Sequence, residues 1–330
     1  MSIFRFTLTL LLTSSFSALA AQSPTVTLNI DNDGVFGIDQ DYTSGVFISY
    51  TSGAVRPNWW SKPLSLSMWG AASLDKWEFS IGHKMWTPSD ITLETPEPNE
   101  RPYAGLLHGE FNYISLHPQQ SQRFNLMIGT TGENSLSRET QNLVHSITKS
   151  DDPNGWAYQV EDKVVANVGY STHFNLVRRR FTPSTEFEIS NISEINLGNF
   201  REDVSTGFMV RWGQDLAGNF GSAQISAESP FKPGMIGASN YGWFVFGGIE
   251  ARYRFNDITI EGERPLNGLE HPASYYQVTL ENWQSTAVVG AVWYTRHFGF
   301  TFTTTANTSE YKEDKNILHG TGGVSFYAFF

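Results

Sequence analysis

The run FGFTFT at 298–303 puts Phe298, Phe300 and Phe302 on one side of an extended chain, with Gly299, Thr301 and Thr303 on the other. Side chains of a strand repeat every two residues, so an extended conformation gathers three such rings on one face. The same period returns at 77–86, where Trp77, Phe79, Ile81 and Met85 alternate with Glu78, Ser80, Gly82 and Lys84. It returns again at 249–255, where Ile249, Ala251, Tyr253 and Phe255 alternate with Glu250, Arg252 and Arg254. The pattern predicts an all-β chain.

Three features predict a transmembrane barrel, with a secreted β-sandwich as the alternative. Many segments run to about ten residues or more, enough for a tilted span. One face is apolar and aromatic while the other holds Glu, Arg, Lys and Asn, which suits lipid outside and a polar interior. The chain ends in GGVSFYAFF, with Val324, Phe326, Ala328 and Phe330 on one face, an ending similar to that of bacterial outer-membrane proteins. Strands are predicted at 25–30, 42–52, 75–86, 103–116, 121–131, 163–177, 182–196, 203–213, 242–255, 278–294, 298–308 and 320–330. Twelve is an even number, as expected for an antiparallel single-chain bacterial barrel. Both termini then face the periplasm, and the connections 31–41, 87–102 and 132–162 lie outside. Residues 53–74 and 214–241 are long for periplasmic turns, which leaves small helices or a miscounted strand as readings.

Residues 1–20 read as a cleaved secretory signal, with Arg5 in the n-region and Ala18-Leu19-Ala20 at the cleavage site. Their apolar run is too short to span a bilayer and no cationic stop follows it. The remaining 21–330 is expected to be one barrel domain in the bacterial outer membrane. Loss of Arg5 takes the formal charge from −11 to −12. The only cationic run, Arg178 to Arg180, suggests a turn, so nothing offers the basic stripe that a nucleic acid requires. With no cysteine, disulfides, thiolate metal sites and Cys nucleophiles are all excluded.

Chemistry concentrates in three outer stretches. The first gathers Asp31, Asn32, Asp33, Asp39, Asp41 and Thr43. An EF-hand counted from Asp31 fails, because Phe36 and Tyr42 stand where Gly and Glu are needed. Asn32, Asp33 and Thr43 still offer oxygens for a hard cation; a solvated acidic loop is the plainer reading. The second, 137–156, is the best helix in the chain, with Gln141, Val144, His145 and Ile147 able to share a side. Laid over the barrel mouth, it would bring His145 to the rim, where a neutral imidazole can take a proton from water. Ser146 lacks a nucleophile elbow and points elsewhere on the helix. The third, NERPYAGLLHGEF at 99–111, places Arg101 before a proline-fixed strand start. There it can fork onto a phosphate or pair with a wall carboxylate.

Together these stretches resemble the lipid A 3'-O-deacylase family of Gram-negative outer membranes. The resemblance rests on Asn32-Asp33, Asp41-Tyr42-Thr43-x-Gly45, Arg101-Pro102-Tyr103-Ala104-Gly105, Gln141-x3-His145 and Gly155-Trp156-x2-Gln159. It implies a twelve-stranded barrel with a site between wall and outer-loop helix, and calcium-assisted hydrolysis of the 3'-linked acyl ester of lipid A. By position, His145 would be the general base and Asp33 a Ca²⁺ ligand. Asn32 and Thr43 would shape the metal or oxyanion contacts, and Gln141 would orient substrate or base. A branch of the family has a functional Lys in the second outer loop. Here 87–100 has none and carries Asp90, Glu94, Glu97 and Glu100, so Arg101 is expected as the substrate-binding cation. The expected partner is membrane lipopolysaccharide. The alternatives are an outer-membrane phospholipase of other lipid specificity and a non-enzymatic barrel.

Overall fold

The computed structural model describes residues 23–33 and 41–330; the expected signal and the tip of the first outer loop, Asp39 included, lie outside the described residues. Twelve strands form there: β1 (Thr25–Asn32), β2 (Asp41–Thr51), β3 (Leu74–Thr87), β4 (Ala104–His117), β5 (Gln120–Thr131) and β6 (Val164–Arg180). They continue with β7 (Glu186–Gly198), β8 (Arg201–Gly213), β9 (Gly242–Asp257), β10 (Trp283–Tyr294), β11 (Phe298–Thr308) and β12 (Leu318–Phe329). Each pairs antiparallel with its neighbours in sequence, and β1 pairs with β12 to close the barrel. Arg178 to Arg180 end β6, just before its turn.

The alternation is turned inside out relative to a water-soluble protein. Along β1, Val26, Leu28 and Ile30 are exposed while Thr27, Asn29 and Asp31 are buried. Along β8, Val204, Phe208, Val210 and Trp212 are exposed while Asp203, Ser205 and Arg211 are buried. A barrel surrounded by hydrocarbon needs this arrangement. No described helix is long and apolar enough to cross a membrane. Among the described residues the α-helices are α1 (Ser137–Thr148) in the third outer loop and the single turn α2 (Ile258–Glu261) after β9.

The two long periplasmic segments have opposite fates, and neither hides a strand. Residues 214–241 fold up into the lumen. Leu216, Ile225, Phe231 and Ile236 pack there with Phe244, Val288, Val292 and Tyr327 of the wall. The wall donates to the segment: Lys76 Nζ to the carbonyls of Gly234 (3.2 Å) and Ile236 (3.1 Å), and Arg211 Nη2 to that of Leu216 (2.8 Å). Glu228 lies 2.6 Å from both Lys84 and Arg201. Residues 52–73 stay outside, against the wall. Their short 3₁₀ turns at Lys62–Leu64 and Leu66–Trp69 rest on β4 and β5.

Candidate functional site

The outer ends of β1, β2 and β3 meet at a corner. Asp33 lies one residue beyond β1 and is buried. β2 opens at Asp41, in the left-handed region with φ of 65°, and carries a bulge against β3 between Tyr42 and Ser44. A bulge inserts one residue and takes its side chain off the regular alternation. That residue is Thr43. Its hydroxyl is 2.7 Å from that of Thr87, which ends β3, and its carbonyl accepts from Asn32 Nδ2 at 3.2 Å. Thr87 shares a face of β3 with the exposed Trp77, Phe79 and Ile81. This three-strand chain of Asn32, Thr43 and Thr87 therefore sits on the lipid side of the rim.

Other oxygens of the same stretch go the other way. Asp31 Oδ2 accepts from the Tyr42 hydroxyl (3.3 Å) and the Ser229 amide (2.7 Å) of the luminal segment. Asp41 binds Arg101 Nη1 (3.1 Å) and His319 Nδ1 (2.7 Å). The pleat has divided one cluster between two environments.

Helix α1 supplies the other half of the corner. Ser137, Gln141 and His145, spaced by four, form one row and are all buried. Leu143 (62% exposed), Val144 (44%) and Ile147 (73%) face away. The expected common side of Gln141, Val144, His145 and Ile147 is therefore corrected, as is the position over the mouth. The helix packs on β3 and β4 from outside the barrel, where the lipid lies, so its polar row turns to the wall and its apolar residues turn outward. Its start is tied to His83, whose Nε2 is 3.0 Å from the Ser135 carbonyl and 3.1 Å from Ser137 Oγ. Gly105 permits the approach, because a Cβ there would come within 2.1 Å of Ser137 Oγ.

After the helix, the chain returns and Asp151 O comes 2.5 Å from His145 Nδ1. A carbonyl only accepts, so Nδ1 carries a hydrogen and donates it to Asp151. Trp156 Nε1 donates to Gln141 Oε1 at 2.7 Å. An indole only donates, which fixes the amide orientation. Gln141 Nε2 is then a buried donor with no hydrogen-bond partner among the described residues. Trp156 lies against Tyr103 with ring centroids 4.8 Å apart, in a buried cluster with Met85 and Ile91. Gly155 makes room for it, since a Cβ would meet the Tyr103 ring at 2.5 Å. Met85 and Thr87 are successive outward residues of β3, roughly 7 Å apart in an extended chain. One strand thus links the Asn32–Thr43 corner to the Gln141–His145 helix.

Arg101 lies elsewhere. Its side chain is buried at the lumen mouth, donating to Asp41, to Glu310 Oε2 at 2.9 Å and to Thr259 Oγ1 at 3.2 Å. Burial opposes its charge, but Glu310, Asp41 and Asp257 together outweigh that and raise its pKa. Arg254 continues the network to Glu310 (3.1 Å) and Asp257 (2.8 Å). Of the two readings of Arg101, the fork onto a phosphate and the pairing with a carboxylate, the structure displays the second.

Among the described residues, one group offers close metal-ligating atoms: Asp41, Asp314 and His319, all within 4.8 Å of one another. Both His319 nitrogens face carboxylates, Nδ1 to Asp41 and Nε2 to Asp314 at 2.6 Å, the arrangement of a doubly protonated ring. It does not suit Ca²⁺, which takes oxygen ligands. Asn32, Asp33 and Thr43 are an all-oxygen set and do suit it.

Sequence reasoning did not single out Thr87, His83 or Ser137. The signal for Thr87 was its place at the end of the 77–86 alternation, opposite the oxygen-rich loop. Ser146 is exposed, and its hydroxyl donates to the Leu143 carbonyl at 2.7 Å, away from the wall.

No curated protein sequence matches the chain. Among solved structures, LpxR from Salmonella typhimurium aligns with a TM-score of 0.76 at 18% identity, covering 93% of this chain and 100% of that one. The β domain of the Bordetella autotransporter BrkA aligns at 0.43 and 8% identity, over 93% and 97% of the two chains. The model of one protein family, outer membrane protein LpxR, matches residues 6–330, and the chain belongs to that family.

Proposed function

We propose that this outer-membrane protein is a lipid A 3'-O-deacylase that hydrolyses its ester at the outer rim, using water activated by His145. The observation that carries the reading is the His145 side chain itself. It is buried against the outside of the wall at the outer end of the barrel, with Nδ1–H donated to Asp151 O. A lipid reaches this side by lateral diffusion, without entering the lumen.

In this reading His145 takes the proton of the attacking water at Nε2, a contribution on the order of 10²–10⁴ in rate. Gln141 turns its Nε2–H toward the substrate oxygen, held in that orientation by Trp156. Asn32 and Thr43 form the opposite side of the corner. Asp33 and the amide oxygen of Asn32 are the donors that would hold Ca²⁺, which when bound polarises an ester carbonyl and stabilises the developing oxyanion. Arg101 serves by position, fixing Asp41 at the start of β2.

The test is mass spectrometry of lipid A from cells expressing the protein or His145→Ala, with calcium supplied. The expected result is loss of the 3'-linked acyloxyacyl group with the wild type alone. Equal deacylation by the variant overturns the assignment of the base. A second reading, hydrolysis of phospholipid esters, is favoured by one observation. The loop between β3 and β4 carries Asp90, Glu94, Glu97 and Glu100, and its single cation, Arg101, is committed at the lumen mouth. Fatty acid released from phospholipid with lipid A unchanged would select it.

A further inference from the structure

The segment 52–73 is an oddity in both composition and place. It carries Trp59, Trp60, Met68 and Trp69 on its surface, with Trp59 88% and Trp69 80% exposed. It contains Arg56 and Lys62, both exposed, and no carboxylate, in a chain whose net charge is −11. It does not hang into the periplasm. Tyr113 and Ser115 pair directly with Trp77 and Asp75, and directly opposed residues share a face of the sheet. Since Trp77 faces lipid, so do Tyr113 and Ser115, and yet both are buried. The segment covers them: Trp60 packs edge-on to Tyr113 at 6.3 Å, Leu66 N donates to Ser115 Oγ at 3.0 Å, and Gln122 Nε2 donates to Leu64 O at 2.8 Å. Ser65 Oγ adds a bond to Asp75 Oδ2 at 3.1 Å.

We propose that residues 56–69 form a foot that binds the periplasmic leaflet of the membrane, sinking Trp59, Trp60, Met68 and Trp69 to the boundary between headgroups and acyl chains. Three observations select lipid as the occupant. The foot is continuous with the lipid-facing band of β3–β5. Its aromatic residues are the amphipathic rings that gather at membrane interfaces. Its two cations, without a carboxylate near them in sequence, match anionic headgroups.

The absence of cysteine makes the test direct. Trp59→Cys and Trp69→Cys are labelled singly with a nitroxide in the full chain, reconstituted in vesicles of phosphatidylethanolamine and phosphatidylglycerol. Ser184→Cys, on the exposed turn after β6 at the same end of the barrel, is the reference. Power saturation with oxygen and with a water-soluble nickel chelate reads the depth of each label. The expected result is a several-fold higher oxygen-to-nickel accessibility ratio at 59 and 69 than at 184. Equal ratios at all three positions place the foot in water and overturn the proposal. Shielding of 59 and 69 from both reagents means that protein, such as a second copy of the chain, covers the foot, and overturns it as well.

Discussion

Trp156→Phe keeps a ring against Tyr103 but leaves Gln141 Oε1 without its indole donor. An unmet buried acceptor costs about 1–3 kcal/mol, and each ~1.4 kcal/mol placed on the transition state is about tenfold in rate. We expect lipid A deacylation to fall about tenfold or more, with the heat-dependent gel shift of the folded barrel unchanged. A wild-type rate would mean that the amide needs no such orientation. At this scale the sequence is informative where function rests on short motifs. Asn32-Asp33 and Gln141-x3-His145 stand out because their members are adjacent or one helical turn apart. Arg101 could not be placed that way, because its partners Asp41, Thr259 and Glu310 come together only when the ring closes. Thr87 was invisible for a related reason, since a threonine at a strand end means little until the bulge at Thr43 faces it.

For the elements, the test is how α1 seats on the wall. Gly105→Val would put a branched side chain where Ser137 Oγ lies 2.1 Å from a Cβ position, displacing the first turn and with it the row that ends in His145. Small misplacements at a reacting centre cost on the order of 10² in rate. We expect a loss of that order with normal membrane assembly; full activity in the variant would separate the site from the seating of the helix. The periodicity of 137–148 revealed a helix but not its orientation, because a polar row faces inward only when hydrocarbon lies outside. The foot presents the same case at the other end of the wall, where it rests on β3, β4 and β5. The strands that carry the site are thus flanked by apolar surface near each leaflet.

In the whole molecule, the lumen is closed twice. Residues 214–241 rise through it from the periplasmic side to Asp31, Lys84 and Arg201 near the outer ends of β1, β3 and β8, and the Arg101–Glu310–Arg254 network crosses its mouth. In planar bilayers the purified protein is expected to give no sustained open-channel conductance; steady channels would show that the segment leaves the lumen. The twelve strands were legible because lipid contrast imposes period two along each span. The destination of 214–241 was not, because Leu216, Ile225 and Phe231 read equally well as an external helix or a missing strand until a cavity exists to receive them.

That segment also sets the order in which the molecule can be built. It leaves the wall between β8 and β9, yet Ser229 is held by the first strand, its amide on Asp31 and its hydroxyl accepting from Asn29 at 3.0 Å. A completed ring would have to admit a folded stretch past the inward charges of Lys76, Arg211 and Glu78. Laying the segment against β1 before β9 to β12 arrive avoids that passage. The last four strands then wrap around a filled interior, and the seam between β1 and β12 becomes the final joint.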